Sequence, residues 1–133
     1  MVYLIDTCLL IDHLTGRLLP QVSTWLEQAI ISGATATSVV VYHELLTGAR
    51  TAKAQAAIKN LLENWEVIPV NRKIAGQAAA LRREWAAKGK AIGMADSLIA
   101  ATAAVHGLKV VTANLKDFPA VAALSPEEAA GIK

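Results

Sequence analysis

The chain has 133 residues and a mass of 14.0 kDa, enough for one hydrophobic core and too little for two. Hydrophobic residues make up 54% and charged residues 18%, with a mean hydropathy of +0.40, which excludes a disordered chain. The lone cysteine, Cys8, excludes an intrachain disulfide framework or a zinc site built on several thiolates, and 13 Lys and Arg against 11 Asp and Glu leave a balance of only +2.

Residues 1–133 are therefore expected to form a single domain. The apolar start, MVYLIDTCLLIDHL, has no basic preface and is interrupted by Asp6 and Asp12, so it is read as mature protein. The longest apolar region, 91–111, contains Asp96, His106 and Lys109 and is not expected to span a membrane. A cytoplasmic location fits these features.

Val2–Ile5 predicts a strand buried on both faces, and Thr7–Leu14 a short helix closed near Gly16. Pro20 opens the next helix, in which Val22, Leu26, Ala29 and Ile30 share a stripe, and Gly33 ends it. Ala34–Thr37 predicts a second strand and Val39–Gly48 a helix. Ala54, Ile58, Leu61 and Leu62 mark another helix, and Trp65–Val70 a short strand. Ile74, Ala78, Leu81 and Trp85 recur at helical spacing before a break bracketed by Gly89 and Gly93. Ala-rich Met94–Val105 predicts a helix stopped by Gly107; Lys109–Thr112 is a strand, followed by a polar turn over Asn114–Asp117. Strands alternating with helices predict an α/β fold with a mostly parallel sheet.

Acids in apolar company carry the functional signal. Asp6 ends the first strand, and the carboxyl ends of parallel strands are where such sheets bind ligands. Glu44 shares a helix face with Val40, Val41 and Gly48, and Asp96 with Ile92, Ile99, Ala100 and Ala103, so both are expected to point along core-facing stripes. Asp117 follows the last strand, three residues after Asn114. A buried carboxylate costs several kcal/mol unless donors or a cation compensate it. Four acids meeting without His or Cys companions would favour Mg²⁺ or Mn²⁺ over zinc.

Each acid also has a plain structural reading. Asp6 can cap the helix that begins at Thr7, Asp96 can interact with its helix dipole, Asn114 and Asp117 have capping spacing, and Glu44 can pair with a buried arginine. The histidines show no i, i+4 pair, no serine lies in a nucleophile elbow, and no glycine-rich phosphate loop occurs. Cys8 and the three tryptophans are read as packing residues.

Taken in order and spacing, LIDTCLLID (4–12), YHELLTGA (42–49), ADSLIAATA (95–103) and VTANLKDF (111–118) resemble the PIN-domain ribonucleases, in particular the VapC-type toxins of toxin–antitoxin pairs. The resemblance implies a three-layer α/β/α fold and an acidic pocket for Mg²⁺ or Mn²⁺. By position, Asp6, Glu44 and Asp96 match the family's metal-site acids and Asp117 the fourth, although related domains can place that acid where Asn114 stands. Thr7, Ser97 and Thr112 are the polar neighbours of these acids. The family's frequent T-R-N is T-A-N here, with Ala113 replacing the basic residue.

The resemblance further implies an endoribonuclease leaving 5′-phosphate and 3′-hydroxyl ends, an RNA substrate, a homodimer, and a VapB-like antitoxin whose tail fills the acidic groove. Setting the four site acids aside leaves 13 bases against 7 acids, and 72–90 carries six bases against Glu84, a pattern compatible with an RNA-binding surface. A non-catalytic PIN-fold binding module is the alternative. A phosphoacceptor receiver domain is disfavoured: no adjacent acid pair follows the first strand, and the second ends without Asp.

Overall fold

The computed structural model describes residues 1–119 and 121–132; the expected 1–133 span also includes Ala120 and Lys133, which lie outside the described residues. The chain runs β1 (Tyr3–Ile5), α1 (Thr7–Leu14), α2 (Pro20–Ile31), β2 (Thr35–Ser38), α3 (Val39–Gly48), α4 (Ala52–Leu62), β3 (Glu66–Ile68), α5 (Arg72–Ala87), α6 (Met94–His106), β4 (Lys109–Val111), β5 (Ala123–Leu124) and α7 (Pro126–Ala129). A 3-10 turn at Leu115–Asp117 joins β4 to β5.

The sheet order is β3-β2-β1-β4-β5, and every pairing is parallel. Successive strand residues point to opposite faces. Leu4 and Ile5 in β1, and Val110 and Val111 in β4, are all fully buried, so both faces of the central strands are covered and the fold has three layers, α/β/α. The buried side chains of the helices follow their apolar stripes: Val22 and Leu26 in α2, Ile58 and Leu62 in α4, Ile74 and Ala78 in α5, Ile99 and Ala103 in α6. Thr37 ties β2 to the central strand β1 by donating to the Ile5 carbonyl at 2.8 Å. Trp25 packs edge-on against Tyr3, with ring centroids 5.2 Å apart.

From β1 the chain steps to β2 and β3 on one side, then crosses back through α5 and α6 to β4 on the other. That reversal makes the β1/β4 boundary the switch point of the sheet, where the C-terminal strand ends leave a crevice. Asp6 follows β1 there, and Thr112 follows β4. Among the described residues, no helix is long and apolar enough to cross a membrane.

Candidate active site

Asp6 is 95% buried and caps α1, accepting the Thr7 amide at 2.8 Å. Its other oxygen accepts the hydroxyl of fully buried Thr112 at 2.7 Å, and the Asn114 amide donates to that hydroxyl at 3.0 Å. The two readings of Asp6 are therefore compatible: the bonds that make it a cap also offset the cost of burying its charge beside the switch point. Thr7, the first residue of α1, donates its hydroxyl to Glu44 at 2.8 Å and so ties α1 to α3.

Glu44 departs from the expected core-facing position and is exposed. α3 buries Val41 and Leu45, one turn apart, and at about 100° per residue Glu44 falls beside that line, on the lip of the crevice. Its partner is the Thr7 hydroxyl, where a buried arginine was the plain alternative. Ser97 lies one residue beyond Asp96 in α6. It is buried, and its hydroxyl donates to the Met94 carbonyl at 2.7 Å, a bond within its own helix rather than to a site acid.

Asp96 lies half-buried in the first turn of α6, whose N-cap is Gly93. Burial foremost, then the negative charges of Asp117, Asp6 and Glu44, push its pKa up to about 6. Three separate segments thus bring their charges to bear on one carboxyl. Asp117, at the end of the 3-10 turn, supplies the fourth charge, while Asn114 turns its amide to Cys8 Sγ at 3.3 Å. Burial and the charge of Asp6 raise the Cys8 thiol pKa, which disfavours a nucleophilic thiolate.

The acids converge without closing. Among the described residues, no three or more His, Cys, Asp or Glu side chains are drawn together tightly enough to enclose a metal ion. The donor set nevertheless fits a hard divalent cation: it consists of oxygen ligands only, with both oxygens of Asp6 held by hydrogen bonds and Glu44 exposed. Sequence reading missed the tight Thr112–Asp6 bond and an apolar cleft of about 410 Å³ between α1, α3 and α4. Ile11 and Leu14 of α1, Leu45 of α3 and Ile58 of α4 line that cleft. Its signal was present in the exposed apolar pair Ile11 and Leu14 on a helix already recognised.

Residues 3–124 match the family model described as PIN domain. Ribonuclease VapC10 of Mycobacterium tuberculosis is 37% identical over 123 residues, covering 92% of this chain and 90% of that protein. Among solved structures, FitAcB from Neisseria gonorrhoeae superposes with a TM-score of 0.80 at 28% identity, covering 94% of this chain and 98% of that one. A toxin–antitoxin complex from Klebsiella pneumoniae gives 0.74 at 27%, covering 95% and 98%. The chain belongs to the PIN-domain family and, within it, to the VapC group.

Proposed function

We propose that the protein is a Mg²⁺- or Mn²⁺-dependent endoribonuclease, the toxin of a type II toxin–antitoxin pair, working in the cytoplasm as a homodimer. The observation that carries this reading is that Asp6, Glu44 and Asp117, from three other segments, all act electrostatically on Asp96, adding to the burial that raises its pKa. These four residues would hold the ion. When bound, it would neutralise the phosphodiester, lower the pKa of a water and stabilise the leaving oxygen.

The chain's own residues do the positioning. Thr112 and the Thr7 amide fix both oxygens of Asp6, and the Thr7 hydroxyl holds Glu44 at the lip. An exposed Glu44 and a half-buried Asp117 leave the crevice open to a polymer rather than to a small enclosed substrate. Arg72, Lys73, Arg82, Arg83, Lys88 and Lys90, on and just after α5, offer cationic contacts for a phosphate backbone. Lys88 is also paired with Glu84 at 3.4 Å.

The VapC relative and the solved toxin–antitoxin complex support a VapB-like antitoxin as partner. The apolar cleft supports the same reading. It is lined by α1 and α3, the two helices that carry Thr7 and Glu44, so an apolar segment seated there could extend a basic side chain to the acids.

Incubating the protein with RNA tests the activity. Cleavage is expected with Mg²⁺ or Mn²⁺, giving 5′-phosphate and 3′-hydroxyl ends, and is expected to stop with EDTA and in Asp6→Asn. Activity insensitive to EDTA, or 2′,3′-cyclic phosphate ends, would contradict the reading. Growth inhibition that survives Asp6→Asn would favour the non-catalytic alternative.

A further inference from the structure

Asp96 owes its place to the segment that launches α6. After α5 the chain turns at Gly89, with φ +85°, and the Lys90 amide returns to the Trp85 carbonyl at 2.9 Å. Residues 90–93 then adopt no regular structure, and α6 begins at Gly93 without a side-chain cap. Within this segment the Ile92 carbonyl accepts the Nε–H of Arg82 at 2.9 Å, and the Ile92 side chain is buried.

We infer that Arg82 is a positioning residue for the acidic site: by holding the Ile92 carbonyl it anchors the N-terminal turn of α6 and keeps Asp96 beside the other three acids. This rests on the reading that those acids hold a divalent ion. Arg82 lies ten residues before Ile92 in sequence and on a different helix from Asp96, so the bond fastens α6 to the neighbouring α5, against which it packs.

A simple charge role makes the opposite forecast. Removing a cation near an acid cluster would, by Coulomb's law alone, tighten a divalent ion; releasing the α6 turn weakens it. Arg82→Met keeps much of the aliphatic stem and removes the donor, Arg82→Lys keeps a donor for the same carbonyl, and Arg83→Ala removes the adjacent charge. Titration calorimetry with Mn²⁺ is the first readout, and amide hydrogen exchange over residues 93–97 in metal-free protein is the second.

Arg82→Met is expected to bind Mn²⁺ roughly tenfold more weakly, the loss usual for a group that orients a ligand. Arg82→Lys should recover most of that loss, and Arg83→Ala should bind no more weakly than wild type. Exchange over 93–97 should quicken in Arg82→Met and stay near wild type in Arg82→Lys and Arg83→Ala. Mn²⁺ affinity in Arg82→Met equal to or tighter than wild type, or unchanged exchange, overturns the inference. Wild-type protein that takes up no Mn²⁺ overturns the metal reading instead, and exchange alone then decides whether the anchor exists.

Discussion

Replacing Thr112 by valine keeps the shape of a fully buried side chain and removes the hydroxyl that donates to Asp6 and accepts from the Asn114 amide. A buried carboxylate oxygen and an amide then lose their partners, a cost of about 1–3 kcal/mol. Urea unfolding should show that loss; a variant as stable as wild type would mean that water restores both bonds. Asp96 contributes a pH-dependent part of the stability. Its folded pKa of about 6 lies above the ordinary 3.8, so the folded chain binds this proton more tightly, and the contribution is fully present below about 4 and lost as pH rises through 6. In EDTA, Asp96→Asn should therefore melt higher than wild type at neutral pH, with the difference shrinking toward pH 4. A difference independent of pH would remove Asp96 from the acidic field. The acids themselves were legible as residues because carboxylates among apolar neighbours need compensation. The exposure of Glu44 was not, since a helical stripe leaves open which edge of the buried face an acid occupies.

Helix punctuation was the most legible feature at the scale of elements. Thr7–Leu14 and Val39–Gly48 have the expected bounds, and Gly107, with φ +66°, ends α6 as its residue type implied. Gly107→Ala forces a side chain into the left-handed region and should cost about 1–2 kcal/mol in chemical unfolding; no loss would mean that the turn re-forms with another geometry. Three strands proved shorter than expected, β3 most of all, Glu66–Ile68 instead of 65–70, because apolar composition marks burial rather than the reach of the ladder, while β2 kept its length and moved by one residue. Two elements went unread. β5 is only two residues long and contains alanine, a poor strand former, so pairing with β4 defines it. α7 is four residues long, yet Ser125 and Glu128 form a capping box, a signal that the S-P-E-E sequence carries but that on its own does not mark so short a helix.

For the molecule as a whole, parallel topology does what no local motif can: it gathers residues separated by 106 positions, Asp6 and Thr112, into one hydrogen bond. Alternation of strands and helices made the layers legible, whereas the detailed contacts depended on register. The same layout makes α1 and α3 contribute both to the acidic crevice and to the apolar cleft. Ile11→Asp puts a charge into that cleft, and should weaken antitoxin binding by more than roughly tenfold. Calorimetry with the purified antitoxin checks this, and undiminished affinity would move the partner to another face. The central claim, that the four converging carboxylates share a divalent ion, is tested most directly by anomalous diffraction from a crystal soaked in Mn²⁺. An anomalous peak ligated by Asp6 and Asp96, with Glu44 and Asp117 around it, is the expected result; no peak there at saturating Mn²⁺, in crystals that retain the fold, would contradict it.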